Sequence, residues 1–159
     1  ADLVVLTRYQ EIVPLFSALL RLPTRGKRVV DFADISSSSS TTGGIDLTET
    51  VADHHHADVC IFGIPAEADT LRAHLTDLAN VHHGLFVITR GEGGAFAIED
   101  GKTYTQPAVP VPEVIDTTGA GDCFAAHFLS EWSNTSNIQR ALKRGCIAAS
   151  KVIQQIGAN

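Results

Sequence analysis

The strongest constraint on the fold is the run Asp116–Asp122, which reads D-T-T-G-A-G-D. It follows the strand-like segment Pro112–Ile115 and leads into Cys123–Ala126, which has helical character. The first N–H groups of a helix have no internal partners, and the helix dipole adds partial positive charge there. A strand, a turn of small residues and a helix therefore make a site for negative charge. A carboxylate such as Asp122 beside that site suits a base that takes a proton from a hydroxyl attacking a phosphoryl group.

Apolar runs of strand length alternate with segments of helical periodicity along the chain. The predicted strands are 3–6, 28–33, 58–62 and 85–89, the first two buried, and the predicted helices are 9–22, 47–56, 67–80, 121–132 and 137–156. Pro14 suggests that the first helix begins late, near Val13. Residues 95–98 and 102–105 predict a hairpin across Asp100-Gly101, and Ser36–Gly44 is predicted to be a loop. The alternation predicts an α/β sandwich around a mostly parallel sheet, with ligands beyond the carboxyl ends of its strands.

A second glycine-rich loop follows the predicted strand 85–89. Thr89, Gly91 and Gly94 form a T-x-G-x-x-G pattern, whose backbone is able to approach a phosphate or ribose closely. Arg90 would neutralise phosphate charge. The alternative interpretation is a loop that only turns between strands, with Arg90 as a solvated surface residue. Its place some twenty-five residues before Asp116–Asp122 favours the functional interpretation.

Composition excludes several classes of protein. The 159 residues fit one domain, and the net charge of −6 without a basic stripe argues against nucleic-acid binding. The sequence has no apolar run long enough for a membrane span and no secretory signal. Cys60, Cys123 and Cys146 are sparse and lack C-x-x-C spacing, which indicates free thiols in a reducing cytoplasm. The chain enters a strand at once, so we expect it to be part of a longer polypeptide.

Two histidine clusters, 54–56 and 82–83, raise the question of a metal site. Neighbouring histidines point in different directions, and neither cluster has an i, i+4 pair or a cysteine beside it. We therefore expect solvated or helix-end histidines here.

The two glycine-rich segments and their order resemble the PfkB/ribokinase family of carbohydrate kinases over essentially the whole chain. The resemblance implies a ribokinase-like three-layer α/β/α sandwich, with residues 1–159 as a single α/β domain that forms the C-terminal, nucleotide-binding portion. It implies ATP-dependent phosphorylation of a sugar or sugar-derivative hydroxyl, with Asp122 as the base. The backbone amides of Gly119, Ala120 and Gly121 would form the anion hole. Residues 65–72 and 145–158 are similar to fructoselysine-kinase-like members.

The same resemblance assigns further residues to ligands. Glu67 falls on a glutamate that helps to hold Mg²⁺, although Ile64 stands where asparagine is common; Glu67 is alternatively a first-turn helix carboxylate. Asp116 and Thr118 would support the loop and help to bind a monovalent cation such as K⁺, with Gly157 in the same cation site. Gly145 or Cys146 would touch the adenine, the alternative being close helix packing.

The resemblance also indicates what this chain does not carry. The family's N-terminal half holds the lid and most of the sugar contacts, so the sugar is not readable and we expect poor turnover from these residues alone. The family implies ATP and a small sugar as binding partners and is compatible with a homodimer of the full-length protein. Two alternatives stay open, a catalytically silent nucleotide-binding module and a dinucleotide-binding oxidoreductase. The second lacks a G-x-G-x-x-G after its first strand.

Overall fold

The computed structural model describes residues 3–8, 13–32 and 55–157. Its strands are β1 Leu3–Thr7, β2 Lys27–Phe32, β3 Val59–Gly63, β4 Leu85–Thr89, β5 Ala95–Glu99 and β6 Lys102–Gln106. Its helices are α1 Val13–Leu20, α2 Asp69–Val81, α3 Ala120–Thr135 and α4 Ile138–Val152. The predicted loop 36–44, residues 9–12 of the first predicted helix and most of the predicted helix 47–56 lie outside the described residues.

The strands form one six-stranded sheet in the order β1-β2-β3-β4-β5-β6. β1 and β2 are parallel, with Val5 opposite Val29, and β2 and β3 are parallel, with Val29 opposite Val59. The hairpin β5–β6 turns at Asp100 and Gly101, whose φ angles of 48° and 73° are both positive. Two positive φ angles are what a two-residue type I′ turn requires. The predicted α/β architecture and the hairpin are therefore confirmed.

The chain divides into two compact units, the first of which comprises Ala1–Ile88 and Ile98–Lys102. Its core strands β2, β3 and β4 are largely buried. The rings of Phe32, Phe62 and Phe86 form a row with centroid separations of 4.7 and 5.4 Å. Aromatic rings at such separations add to the stabilisation from their buried area.

The prediction that the first strand is buried is wrong. Val4 and Val5 of β1 are 37 % and 50 % exposed. β1 stands at the end of the strand order and pairs with β2 alone among the described strands. Apolar composition identified the strand, but it did not reveal that the strand lies at an edge.

The second unit comprises Thr89–Ala97 and Thr103–Asn159. Helices α3 and α4 pack together through buried apolar residues, with the rings of Phe124 and Phe128 stacked at 5.9 Å. The α3 helix ends at Thr135, and its C-cap Ser136 has a φ of 53°. The N-cap of α4 is Asn137, whose side chain accepts the N–H of Arg140 at 2.9 Å. The two helices are therefore joined by the cap residues Ser136 and Asn137 alone.

Two other predicted boundaries also differ. The α4 helix ends at Val152 and not at Ile156, since the chain enters successive turns after Val152.

The segment Pro112–Ile115 is not a strand and has exposed residues throughout. Proline lacks an N–H and is poorly suited to a strand interior, and the N–H of Ile115 donates to the carbonyl oxygen of Ile153 at 2.8 Å. An irregular segment therefore precedes the Asp116–Asp122 turn.

Among the described helices, none is long and apolar enough to cross a membrane. Cys60, Cys123 and Cys146 form no disulfide bond within the part of the chain that the structure describes. The prediction that residues 1–159 form a single domain stays a prediction.

Candidate functional site

The Asp116–Asp122 turn leads into the N-terminus of α3, where some backbone N–H groups have no acceptor among the described residues. Gly119 is the N-cap of α3 with a φ of 76°, a conformation that glycine adopts without steric cost. The N–H of Ala120 donates to the carbonyl oxygen of Thr117 at 3.1 Å, and the N–H of Cys123 donates to Gly119 at 2.9 Å. Within the described part of the chain, the N–H groups of Gly121 and Asp122 have no acceptor. These two donors and the helix dipole favour an anion at this point.

Asp116 forms hydrogen bonds both within this turn and with Gly157, which lies after α4. Its Oδ1 accepts the N–H of Thr118 at 2.9 Å, and its Oδ2 accepts the N–H of Gly157 at 3.0 Å. The hydrogen bonds from Thr118, followed by that from Gly157, hold the pKa of the Asp116 carboxyl below its usual value. Asp116 therefore remains ionised and organises the backbone around the helix N-terminus.

The glycine-rich loop after β4 closes tightly. Gly91–Gly93 form a single 3₁₀ turn, and the N–H of Arg90 donates to the carbonyl oxygen of Gly94 at 2.7 Å. Gly94 is buried and has a φ of 79°. A Cβ on Gly94 would collide with the carbonyl oxygen of Gln106 and would lie 2.6 Å from the amide nitrogen of Ala108. Only glycine lets this loop lie so close to residues 106–108.

A cavity of about 600 Å³ opens between these two segments inside the second unit. Its wall combines the turn after β4, the irregular segment before Asp116, the start of α3 and the last two turns of α4. The lining residues are Thr89, Gly91, Glu92, Gly94, Ala108, Val109, Pro110, Val111, Val114, Thr117, Ala120, Gly121, Phe124, Cys146, Ala149, Ser150 and Ile153. Most are apolar or small, and Glu92 is the only charged residue among them. The size and character suit a small-molecule ligand with a substantial apolar part.

Six residues singled out from the sequence line this cavity together. They are Thr89, Gly91, Gly94, Ala120, Gly121 and Cys146. Gly119 and Asp122 lie at the N-terminus of α3 beside the lining residues Ala120 and Gly121 but do not line the cavity themselves. Arg90, Asp116, Thr118 and Gly145 are also outside its lining.

Gly145 and Cys146 have different surroundings. A Cβ on Gly145 would lie 2.7 Å from the ring of Phe124, so this glycine lets α4 pack against a cavity-lining aromatic. The geometry of Gly145 thus matches the helix-packing alternative. Cys146 lines the cavity, and its burial raises the pKa of the thiol to about 11. Its side chain is therefore a neutral, apolar part of the wall.

Sequence reasoning missed the segment Ala108–Val111 and the residue Val114, which form much of the apolar wall. Alternating prolines and valines between the hairpin and the Asp116–Asp122 turn were the available signal. These residues belong to no helix or strand, and ligand cavities are lined mainly by apolar side chains. Three further lining residues carried no signal beyond helical spacing: Ala149 and Ser150 of α4, and Ile153, which follows the helix directly.

Glu67 belongs to the first unit. It is exposed and sits in a turn that precedes α2, where the N–H of Ala68 donates to Pro65 at 3.1 Å and the N–H of Asp69 donates to Glu67 at 2.9 Å. The α2 helix begins at Asp69, two residues later than predicted. Glu67 is therefore not in the first turn of that helix, and the structural alternative for this carboxylate is wrong.

The fold brings the two histidine clusters together in the first unit. His55, His56, His82 and His83 line a cavity of about 380 Å³ with Arg28 and Asp58. The Nε2 of His82 lies 3.2 Å from the carbonyl oxygen of Ala57. Over residues 3–8, 13–32 and 55–157, no three His, Cys, Asp or Glu side chains are arranged to hold a metal ion. Sequence spacing did not reveal that the clusters meet.

Comparisons with known proteins identify relatives of this chain. The family described as "pfkB family carbohydrate kinase" matches residues 54–159. Fructoselysine 6-kinase of Escherichia coli is 37 % identical over 103 residues, which cover 65 % of this chain and 39 % of that protein. Adenosine kinase 2 of Arabidopsis thaliana is 40 % identical over 73 residues, which cover 45 % of this chain and 21 % of that protein. The chain thus spans well under half the length of these curated relatives.

Among solved structures, a nucleoside kinase of the ribokinase family from Methanocaldococcus jannaschii superimposes with a TM-score of 0.74 at 18 % identity. The superposition covers 99 % of this chain and 51 % of that structure. At this identity the likeness shows the fold, and it confirms the predicted ribokinase-like class.

Proposed function

Because this chain belongs to the pfkB family of carbohydrate kinases, we propose that its second unit binds ATP for phosphoryl transfer to a hydroxyl of a sugar or sugar derivative. The observation that carries the proposal is the shared cavity. Residues from the loop after β4, Gly91 and Gly94, line the same cavity as Ala120 and Gly121 from the start of α3. A nucleotide needs both features, an apolar slot for the base and free N–H donors for phosphate.

The polarity of the cavity supports one orientation of the proposed nucleotide. The apolar wall of Val109, Val111 and Phe124 suits the adenine ring, and neutral Cys146 adds to that wall. Glu92 would repel phosphate and is suited to accept hydrogen bonds from ribose hydroxyls. The phosphates would then extend toward the N–H groups of Gly119 and Gly121, where the helix dipole favours negative charge. The N–H of Ala120 is used within the turn, although its peptide belongs to the same open helix end.

Asp122 is the proposed base. It is exposed in the first turn of α3, next to the free N–H of Gly121. The γ-phosphoryl group would face the amides of residues 119–121, which stabilise charge in the transition state. The Asp122 carboxylate would accept the proton of the attacking hydroxyl as the O–P bond forms and the bond to the ADP oxygen breaks.

Two cations accompany this proposal. Mg²⁺ is commonly held by one or two carboxylates together with substrate phosphates and water, and the exposed Glu67 supplies a carboxylate of that kind. Bound Mg²⁺ would neutralise phosphate charge. Asp116 and Thr118, with Gly157, are the proposed support for a monovalent cation such as K⁺. The carboxylate of Asp116 supplies negative charge there, held in place by two backbone N–H donors.

The acceptor and the assembly are properties of the whole protein. Relatives of similar identity carry names that differ in substrate, a fructoselysine kinase and an adenosine kinase. We propose a small sugar-derived acceptor, a cytoplasmic location and a homodimer for the full-length protein, and no nucleic-acid or membrane partner.

Substitution of the proposed base separates an enzyme from a silent nucleotide-binding module. The Asp122→Asn variant of the full-length parent should bind ATP like the wild type but lose sugar-dependent ADP release by a factor of about 10² to 10⁴. Asp77→Asn, an exposed substitution on α2, is the matched control. Undiminished ADP release in the Asp122→Asn variant would disprove the assignment of the base. If the wild-type parent binds ATP but releases no ADP with any small sugar-derived acceptor, the result would favour the silent nucleotide-binding module.

A further inference from the structure

A second cavity, of about 570 Å³, lies along α3 and α4 within the second unit. We call it the basic groove. Its lining residues are Cys123, His127, Glu131, Arg140, Lys143, Arg144, Ile147, Ala148, Lys151 and Val152. None of them lines the proposed nucleotide cavity. The groove is therefore a separate concave surface on the same pair of helices.

Positive charge is concentrated in the basic groove. Four of the twelve lysines and arginines of the chain line it, and Glu131 is its only carboxylate. Four positive charges and one negative charge give the groove a formal charge of +3, in a chain whose net charge is −6. Like charges three and four residues apart on one helix repel each other. A cavity with four cationic side chains and one carboxylate is suited to bind an anion, even in an acidic protein.

The internal ion pairs leave much of this charge uncompensated. Nη2 of Arg140 lies 2.8 Å from Oε1 of Glu131, and Nε of Arg144 lies 3.8 Å from Oε2 of the same carboxylate. Lys143 and Lys151 make no ion pair with any described residue and are exposed. Arg144 is 58 % exposed, so its guanidinium also faces solvent. Three cationic groups are thus available to a ligand.

Part of the lining of the groove is apolar. Ile147, Ala148 and Val152 lie among the cationic side chains on α4. The volume falls in the range of small-molecule cavities, roughly 300 to 1,000 Å³. Charged groups beside apolar side chains match a molecule with a carbon skeleton and phosphate oxygens, which arginine and lysine both bind well.

We propose that the basic groove binds a phosphorylated small molecule, with Lys143, Arg144 and Lys151 contacting its phosphate. This inference does not depend on the proposed kinase activity, because it rests on residues outside the nucleotide cavity. The groove adjoins the start of α3, since Cys123 follows Asp122 directly. A ligand there would contact the helix that carries the proposed base.

Cys123 is suited to serve as a chemical probe of ligand binding in the groove. Its Sγ lies 3.7 Å from Nδ1 of His127 at the wall of the cavity, and its side chain is only partly buried. Cys60 and Cys146 are buried, and burial raises the pKa of both thiols. An alkylating reagent at neutral pH should therefore modify Cys123 first, because thiolate reacts and thiol does not.

The test measures pyrophosphate binding in two ways, by calorimetry and by protection of Cys123 from iodoacetamide. The groove variant is Lys143→Gln/Lys151→Gln, and the control Lys27→Gln/Lys102→Gln removes the same two charges elsewhere on the surface. We expect the groove variant to bind pyrophosphate about ten-fold more weakly and to lose protection, while the control retains both. The comparison is made at one low salt concentration, since surface electrostatics are screened by salt.

Four results would overturn the proposal, the first three of them seen with pyrophosphate alone. They are an absence of pyrophosphate binding to the wild type, equal weakening in both double variants, and protection of Cys123 that persists in the groove variant. The last would place the ligand at the nearby N-terminus of α3. Protection by an acidic peptide but not by pyrophosphate would also overturn it, in favour of a protein partner. ATP binding at the other cavity is measured separately and is independent of all these outcomes.

Discussion

The N–H of Gly157 donates a hydrogen bond of 3.0 Å to Oδ2 of Asp116, across 41 residues of chain. The N–H groups of Ile115 and Asp116 both point at the carbonyl oxygen of Ile153, at 2.8 and 3.3 Å. Asp116 therefore joins the entry to the glycine-rich turn with the segment after α4. The first aspartate of the motif acts here on the backbone, whereas the second, Asp122, has no hydrogen bond or ion pair from its side chain to any described residue.

The first prediction concerns the stability contributed by Asp116. Its hydrogen bonds from Thr118 and Gly157 lower the pKa of the carboxyl in the folded state. A lowered folded-state pKa means that the stabilisation is present above the unfolded-state pKa and is lost as pH falls through the folded-state value. Asp116→Asn should lower Tm at pH 7, and the difference from wild type should vanish well below about pH 4. Thermal unfolding from pH 7 to pH 2 measures this difference.

The control for that experiment is Asp77→Asn, which changes an exposed carboxyl of α2. It should leave Tm close to that of the wild type throughout. If the Tm difference between Asp116→Asn and the wild type does not change with pH, the prediction is wrong. The stabilisation by Asp116 would then not depend on ionisation of its carboxyl group.

The second prediction concerns Gly145. A methyl group at this position would lie 2.7 Å from the ring of Phe124, which is 3 % exposed and lines the nucleotide cavity. Gly145→Ala gains about 1 kcal/mol of helix propensity, but overpacking of a buried aromatic costs typically 1–3 kcal/mol. We expect a net loss of stability of up to about 2 kcal/mol, together with weaker ATP binding because Phe124 shifts toward the cavity. Urea unfolding and ATP titration check the two effects.

Gly121→Ala is not a suitable control for that substitution, because Gly121 itself lines the cavity. Ala126→Gly, at an exposed position of α3, changes helix propensity alone and should cost about 1 kcal/mol with unchanged nucleotide binding. A Gly145→Ala variant more stable than the wild type would show that Phe124 has room to move without strain.

The third prediction compares two glycines of the loop after β4, both with positive φ. Gly91 has a φ of 52° and open space where a Cβ would lie, whereas a Cβ on Gly94 would collide with the backbone of residues 106–108. Gly91→Ala should cost about 1–2 kcal/mol from backbone strain alone. Gly94→Ala adds a collision with rigid backbone and should cost clearly more. Equal losses of unfolding free energy would mean that the loop moves away from residues 106–108 at little cost.

Local pattern sufficed for several core elements and for part of the cavity wall. The apolar run Leu85–Thr89 gave the bounds of β4 correctly, and Asp100-Gly101 identified the hairpin turn. The two glycine-rich segments were placed together by sequence, and residues from both line one cavity. Each of these features depends on backbone conformation, which short sequence patterns encode directly.

Other features depend on contacts distant in sequence. The exposure of Val5 and the place of β1 at the end of the order of described strands are not apparent from the apolar composition of the strand. The bond from Gly157 to Asp116 and the collision space at Gly145 likewise require the packed structure. The basic groove could not be predicted because its cations follow ordinary helical spacing on α4 and meet Cys123 and Glu131 only when the two helices pack.

Calorimetric titration of ATP with Mg²⁺ tests the central claim most directly, on this chain and on its full-length parent. The variant Ala149→Phe places a ring in the wall of the nucleotide cavity, and Ala73→Phe adds the same ring at an exposed position of α2. We predict one ATP bound by the wild type and by Ala73→Phe, and affinity at least about ten-fold weaker in Ala149→Phe. An absence of ATP binding to the parent, or binding that Ala149→Phe leaves unchanged, would contradict a nucleotide site in this cavity.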